Sequence, residues 1–474
     1  MFGMTESWTP PPSLPVEAVR EAVRAGMPRT VEQLRELVAI PGIAWESFDP
    51  GQLERSARAV AALLEEAGLD EVEILRVPHA GGPGRPAVVA RRRAAPGRPT
   101  VLLYAHHDVQ PPGRRELWHS DPFTAEERDG RLYGRGAADD KAGVMAHVAA
   151  LRVLDAVAGE DAGLGVTVFV EGEEEAGSPS FRAFLEAYRD RLAADVIVIA
   201  DSANWEVGVP ALTTSLRGVV GAVVEVSVLA HAVHSGMYGG PLLDAPTLLS
   251  RLVATLHDDD GAVAVEGLHA EDGTDLVYDE DRFRADAAVL DGVRLAGRGS
   301  VASRLWTRPA LSVTGMDVTP VDVASNTIAP SARARLSLRI APGQDPAAAA
   351  EALRRHLLEH APFGARVDVR IEETGQPFRT DMSSPAARAM QWALGQAWGR
   401  PPVETGVGGS IPFTADLTEV YPGADILITG VEDPDSRAHG ADESLHLGEF
   451  ERAVVAEALL LLALDAAHGP AGRE

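Results

Sequence analysis

The apolar positions of this chain change period several times, and each change marks an element. Between residues 16 and 40, Val19, Val23, Val31, Leu34, Leu37 and Val38 follow helical spacing, which predicts an amphipathic helix. Pro28 falls inside it and predicts a break, because proline removes one helical hydrogen bond. A second amphipathic helix is predicted over 53–67 and stops at Gly68. Segments 72–77 and 87–91 read as strands around a Gly/Pro loop. Segments 100–105, 165–170 and 195–200 are nearly continuous apolar runs, the pattern of strands buried on both faces. Each of them ends in polar residues: His106 and Asp108, then Glu171 to Glu175, then Asp201. An Ala- and Val-rich helix over 141–157 separates the first two runs. Buried strands alternating with helices predict an α/β fold, in which ligands gather at the carboxyl ends of the strands.

The texture changes near residue 211. Segment 219–229 alternates small and apolar residues as a strand does, and 241–256 reads as a helix. An acidic, irregular stretch follows over 258–300, read as a surface insertion without an assigned role. Strands are predicted over 311–313, 332–340 and 365–373, with a helix over Pro346–Glu359. These elements make an open α+β sandwich. The α/β pattern then resumes with a helix over 384–398, a strand over 425–427 and a long closing helix over Leu447–Ala467. The expected organisation is a first domain over 1–211 and 381–474, interrupted by an inserted α+β domain over 212–380.

Composition narrows the chemistry. The chain of 474 residues is 45% hydrophobic, enough for packed cores in two domains. No apolar run reaches the roughly 18 residues of a membrane span. The N-terminal segment lacks a basic-then-apolar signal pattern, so a cytoplasmic protein is expected. Cysteine is absent, which excludes thiolate metal sites, disulfides and cysteine nucleophiles. Any metal would be held by His and carboxylate, which suits zinc, manganese or cobalt. The formal net charge of −27 leaves no basic stripe for nucleic acid or an anionic membrane.

The candidate chemistry centres on Tyr133-Gly134-Arg135-Gly136-Ala137-Ala138-Asp139-Asp140-Lys141. Adjacent carboxylates repel unless a positive partner lies beside them, and a divalent metal is the simplest one. Alone the stretch is equally a polar surface loop. Asp139 is the candidate bridging carboxylate, since its two oxygens can face two cations, and an unusual peptide geometry is expected between Asp139 and Asp140. His106 and Asp108 share one side of an extended segment, so Asp108 can hold the ring nitrogen that His106 does not offer to metal. His107 then points the other way. Of Glu174 and Glu175, a dinuclear site needs one as a ligand and one free to take a proton. Asp201 ends the third buried strand. His439 sits in a glycine-bearing loop, with His446 a competitor at the start of a helix. His234, in His231-Ala232-Val233-His234-Ser235-Gly236, is a candidate oxyanion or substrate contact in the inserted domain.

In order along the chain, these motifs resemble those of a known family. Tyr104-Ala105-His106-His107-Asp108-Val109-Gln110-Pro111 resembles its His-x-Asp-Val-x-Pro motif. Trp118, Asp121-Pro122-Phe123 and Asp129-Gly130-Arg131-Leu132-Tyr133-Gly134-Arg135-Gly136 resemble its second motif, and Glu171-Gly172-Glu173-Glu174-Glu175-Ala176-Gly177-Ser178 its third. The family is that of the dinuclear zinc metallopeptidases, which include carnosinase-type dipeptidases, aminoacylases, glutamate carboxypeptidase and succinyl-diaminopimelate desuccinylase. The resemblance runs from about residue 30 to the C-terminus.

It implies a zinc-exopeptidase-like α/β catalytic domain with an inserted α+β lid and dimerisation domain, a homodimer, and two divalent ions per chain. By motif position, it implies that His106 and Asp201 bind one ion, Glu175 and His439 the other, and that Asp139 bridges them. Asp108 would orient His106, Glu174 would be the general base, and His234 would serve the partner subunit's oxyanion. Leu336-Ser337-Leu338-Arg339 resembles the strand whose arginine grips the substrate carboxylate. Gly408-Gly409-Ser410-Ile411-Pro412 resembles the loop lining that pocket, with Gly409 and Ser410 as substrate contacts. Asn326 and Thr327 lie in Asn326-Thr327-Ile328-Ala329-Pro330, which matches the family's Asn-Val-Ile-Pro turn only roughly. The Gln110-Pro111 ending and the Gly-Gly-Ser-Ile-Pro loop favour the dipeptidase branch. The expected activity is hydrolysis of dipeptides or short peptides with a free C-terminal carboxylate. The alternatives are an amidohydrolase that removes an N-acyl or N-carbamoyl group from an amino acid, and a metal-stabilised binding protein without catalysis.

Overall fold

The computed structural model describes residues 8–11, 14–159, 162–273, 276–409 and 412–467. The chain divides into two compact units. One comprises 1–214, 380–404 and 416–474; the other comprises 215–379 and 405–415. Residues 405–415 thus belong with the second unit, although the sequence pattern placed them in the closing part of the first.

The first unit is built on a mixed sheet. Its strands run in the order Glu73–Leu75, Ala87–Arg92, Gly165–Glu171, Thr100–His106, Val196–Ile199, Asp425–Ile428, Ala211–Leu216. The three apolar runs read from the sequence are neighbours, and all pair in parallel with Thr100–His106 in the middle. Asp425–Ile428 extends the parallel set beyond Val196–Ile199. Four parallel strands therefore point their carboxyl ends the same way. Every residue of Gly165–Glu171 is buried, as is nearly all of Thr100–His106. That is why these strands are apolar throughout and do not alternate.

Helices Val16–Val38, Lys141–Ala158, Pro385–Trp398 and Leu447–Ala467 contribute their apolar side chains to one continuous core with that sheet. Val16–Val38 is unbroken at Pro28, contrary to the expected kink. Pro28 and Arg24, whose carbonyl loses its partner, both face solvent, and the buried stripe Val19, Val23, Met27, Leu34, Leu37 and Val38 runs past them. Packing of that stripe outweighs a local cost on the order of 3 kcal/mol.

The second unit carries a four-stranded antiparallel sheet, ordered Ala310–Asp317, Ser331–Ile340, Gly218–Ser227, Arg366–Gly375. Ser331–Ile340 alternates exposed and buried positions, so one face is covered and the other is open. Helices Ala245–Ala254 and Pro346–Glu359 cover the apolar face, each capped by an aspartate, Asp244 and Asp345. The acidic stretch 258–300 is mostly irregular, with one short helix, Glu280–Asp286. The fold is α/β with an inserted α+β unit, as the periodicity predicted.

A buried lysine ties the first unit together. Lys141 Nζ donates to the carbonyls of Leu37 at 2.9 Å and Ile40 at 2.7 Å, fixing the end of the first helix to the start of another. Burial depresses its pKa from 10.5 to about 7. Between those values the unfolded chain binds the extra proton, so this group's contribution to stability is present above pH 10.5 and lost as pH falls towards 7. Lys141→Met is expected to lose about 1–3 kcal/mol of stability. In urea titrations, its deficit relative to wild type should widen from pH 7 to pH 9; a deficit that is constant with pH would refute the buried titration.

Candidate dinuclear metal centre

The carboxyl ends of the parallel strands deliver the polar residues to one place. His106 closes its strand, and its backbone N–H donates to Asp140 Oδ2 at 3.1 Å. The peptide between Asp139 and Asp140 is cis. Gly143 lets the following helix start against this turn: a Cβ there would meet Asp140 Oδ1 at 2.1 Å. Gly136 is needed for the approach as well, since it has φ of 80° and a Cβ would meet Val109 Cγ1 at 2.6 Å.

Two groups of donor atoms result. His106, Glu174 and Asp201 form one, and Asp139, Glu175 and His439 form the other, with the atoms of each within 4.8 Å of one another. Asp139 touches both: Oδ1 lies 3.1 Å from His106 Nε2, and Oδ2 lies 3.0 Å from His439 Nε2. His439 Nε2 is also 3.1 Å from Glu175 Oε2. His106 Nε2 lies 4.0 Å from Glu174 Oε2 and 3.9 Å from Asp201 Oδ1. All six residues belong to the first unit. Glu174 stands with the His106 group, next to Asp201, rather than apart from both sets.

The electrostatics are those of a site that calls for cations. Burial, opposed by His106 and reinforced by Asp201 and Asp108, pushes the Glu174 carboxyl well up. Burial likewise raises Asp201. Burial also works against Asp139, but hydrogen bonds with His106 and His439 win and hold it far below the usual carboxylate range. His439 is raised to about 10 by hydrogen bonds to Asp139 and then Glu175. Oxygen and imidazole donors in two sets sharing a carboxylate fit two divalent cations.

Supporting residues fix these groups. Asp108 has a part beyond the one its spacing suggested. Its backbone carbonyl lies 3.1 Å from His106 Nδ1 and its carboxylate oxygen 3.5 Å from the same nitrogen. The carboxylate also accepts the N–H groups of Glu174 and Glu175, both at 3.1 Å, and so aligns the glutamate turn. Gln110 donates to both oxygens of Glu175, from its backbone N–H at 3.1 Å and its side chain at 2.7 Å. His107 points away, its Nε2 2.8 Å from the carbonyl of Pro86. His446 ends a strand and accepts the Glu449 N–H at 3.2 Å, outside both donor groups.

Glu443 is the support that sequence reasoning missed. Its fully buried carboxylate accepts Arg135 Nη1 at 2.5 Å and the N–H groups of Gly136, Ala138 and Asp139 at 3.0–3.1 Å. Arg135 also donates to the Gly440 carbonyl at 2.9 Å. One ion pair therefore joins the loop of Asp139 to the loop of His439. In that second loop Arg437, His439 and Asp442 take positive φ of 55°, 62° and 58°. Such residues cost of order 1–3 kcal/mol each, and persist only where their surroundings fix them. Here the ties are Asp433 to Arg131 at 3.0 Å and Asp442 to His119 at 2.5 Å. The only sequence signal for Glu443 was its place four residues after His439.

The remaining predicted residues lie in the second unit. His234 is exposed and pairs with Thr327, while Ser235 N–H donates to the Asn326 carbonyl at 2.9 Å. Three candidates distant in sequence are thus brought together. Arg339 is half-buried, pairs with Val219 and Ala310, and its charge joins burial in lowering Arg217 to about 10. Arg217, unremarked in the sequence, holds the carbonyl of Gly408 at 2.9 Å beside Gly409. Ser410 lies outside the described residues.

The sequence profile of peptidase family M20/M25/M40 matches residues 102–463. The chain belongs to that family. Among its relatives, a cysteinylglycine-S-conjugate dipeptidase of Corynebacterium striatum is 38% identical over 416 residues, covering 86% of this chain and 90% of the relative. A Beta-Ala-His dipeptidase of Homo sapiens is 29% identical over 377 residues, covering 75% of this chain and 73% of the relative. The crystal structure of human carnosine dipeptidase 1 superposes with a TM-score of 0.74 at 25% identity, covering 96% of this chain and all of that one. Membership makes the chain a metallopeptidase.

Glu443→Gln keeps the shape of the side chain but weakens its hold on the Asp139 loop. It is expected to lower metal affinity about 10- to 100-fold while leaving the fold intact. Competition with a chelating dye measures this; unchanged affinity would show that the two loops hold their ligands without Glu443.

Proposed function

We propose that this metallopeptidase is an exopeptidase of the dipeptidase type, acting on dipeptides or short peptides with a free C-terminal carboxylate. The observation that carries it is Asp139, whose two oxygens face His106 on one side and His439 on the other, with Glu174 beside His106. The dipeptidase names of the relatives favour this reading over removal of an N-acyl or N-carbamoyl group. The ligands are assigned as His106 and Asp201 for one ion, Glu175 and His439 for the other, with Asp139 between them and zinc the preferred metal. Bound divalent ions would polarise the scissile carbonyl and lower the pKa of the attacking water. Glu174 Oε2 takes the proton of that water and returns it to the leaving amine. Asp108 keeps Glu174 and Glu175 in register through their N–H groups. Arg339 receives the substrate carboxylate, a bidentate match for a guanidinium, and Gly409, Ser410, Asn326 and Thr327 are further proposed substrate contacts. No described helix is long and apolar enough to cross a membrane, and the cytosol is the proposed compartment.

The proposal includes a homodimer in which His234 of one chain stabilises the oxyanion in the other. Exposure of His234 supports it, as does the edge strand Ala310–Asp317, exposed from Ser312 to Asp317. Val313, Met316, Val318, Val321 and Val323 stand in solvent along and after that strand, an apolar surface that a second copy would cover.

Three measurements test this. A turnover screen of dipeptides against N-acyl amino acids, with zinc, manganese and cobalt, should favour dipeptides; preference for the N-acyl series would reverse the assignment. Glu174→Ala should retain both metals and lose turnover by at least about 10²–10⁴-fold, whereas Glu175→Ala should lose metal too. The opposite pattern would exchange their roles. Finally, His234→Ala and Glu174→Ala chains, each inactive, should recover about a quarter of wild-type activity once their subunits have exchanged. Confirmed exchange without recovery would place His234 in service of its own chain.

A further inference from the structure

We propose that Glu432 anchors the free amino group of the substrate and makes the enzyme selective for peptides with an unblocked N-terminus. The inference rests on the exopeptidase reading above and adds to it the feature that would distinguish a dipeptidase from an enzyme for N-acylated substrates.

Glu432 comes from the fourth parallel strand, which the sequence reading left without a chemical part. Asp425–Ile428 runs beside Val196–Ile199, with Ile428 opposite Ile199. The pairing returns beyond the strand ends, where Glu432 lies opposite Ala203 and its carbonyl accepts the Asn204 N–H at 2.8 Å. Ala203 is two residues past Asp201. Glu432 is therefore held beside the segment that supplies a predicted ligand, at the same end of the sheet.

Glu432 is half-buried, and no described residue gives its carboxylate a hydrogen bond or an ion pair. The charges that act on it are those of the site: Asp139, Asp201, Glu443 and His439. Some carboxylates nearby have a counter-charge. Glu443 has Arg135. Asp139, Glu175, Asp201 and the base Glu174 together carry as much negative charge as two divalent cations carry positive. Glu432 stands outside that balance. A half-buried carboxylate crowded by like charges is unfavourable, and one added positive charge would relieve it.

The proposed substrate brings that charge. In a dipeptide the ammonium is one carbon from the scissile carbonyl, or two in a β-amino acid. When the carbonyl is at the metal centre, the ammonium must lie immediately beside it, and Glu432 flanks the segment that follows Asp201. An N-acyl group would replace the cation with a neutral amide and bring a carbonyl oxygen towards the carboxylate. That exchanges attraction for repulsion, a device of specificity as well as of affinity.

The test uses the dipeptide that the substrate screen ranks first, together with its N-acetyl derivative. Glu432→Gln removes the charge and keeps the shape. Inhibition constants for both compounds are read against a reporter substrate, affinities are read by calorimetry in a Glu174→Ala background, and metal content by elemental analysis. Glu432→Gln should weaken the free dipeptide by about tenfold or more, the scale of one hydrogen bond to a charged group. The N-acetyl form should change by less than about twofold, two metals should remain, and Glu432→Asp should restore part of the loss. Equal weakening of both compounds, loss of metal, or no change in the free dipeptide would overturn the assignment. Failure of every dipeptide in the screen would instead overturn the exopeptidase reading, and this proposal with it.

Discussion

The structure of the first unit turns on one electrostatic constraint: carboxylates must be held close together at a site only partly open to water. Asp139, Glu174, Glu175 and Asp201 meet at the ends of buried parallel strands with only His106 and His439 between them. Left alone, such a group would take up protons or spread apart. The chain prevents the spreading with backbone N–H groups and buried cations. Asp108 fixes the two glutamates, Gln110 fixes Glu175, and Glu443 with Arg135 fixes the loop of Asp139. The protein's own contacts thereby hold the donors in place, which is what a pre-organised catalytic centre requires.

That arrangement depends in turn on how the sheet is ordered. Strands that deliver His106, the glutamates and Asp201 are adjacent, although a hairpin and the helix Lys141–Ala158 separate the first two in sequence, and two short helices, Phe181–Ala187 and Arg189–Leu192, separate the second from the third. Because they are parallel, their ends coincide, and one short polar segment after each strand brings His106, Glu174, Glu175 and Asp201 together; the turn before Lys141–Ala158 adds Asp139. Asp425–Ile428 adds a fourth end, which brings both His439 and Glu432 into the same region. The second unit answers a different need. Its sheet has one face covered by helices and one open, and an edge strand that the described residues leave exposed from Ser312 to Asp317. His234, Asn326 and Thr327 converge there through a two-residue strand pairing.

Much of this was legible because burial leaves a strong mark on residue choice. Strands buried on both faces must be apolar throughout, so their positions and the polar residues ending them could be read directly. Pro28 shows where that reading failed. A local rule predicted a kink, but the rule could not tell that the proline faces solvent while the buried stripe continues past it. Asp108 shows a second limit of such reading. Spacing put it on the same side as His106, and it does lie near that ring, but its carboxylate serves two N–H groups more than sixty residues away in sequence. No period along the chain encodes such a partner.

The sequence by itself determined the class of fold, the insertion of an α+β unit, the absence of thiol chemistry and the set of residues able to hold metal. Those follow from composition, from periodicity and from short-range order, which each segment carries on its own. The tertiary structure alone decided which donors stand together, that Glu174 falls in the group of His106, and that 405–415 belongs with the second unit. It also decided that Glu443 is answered by Arg135 while Glu432 is not. An acidic side chain looks the same in sequence whether its charge is answered or left open. The difference lies in which distant groups the folded backbone brings within a few ångströms of it.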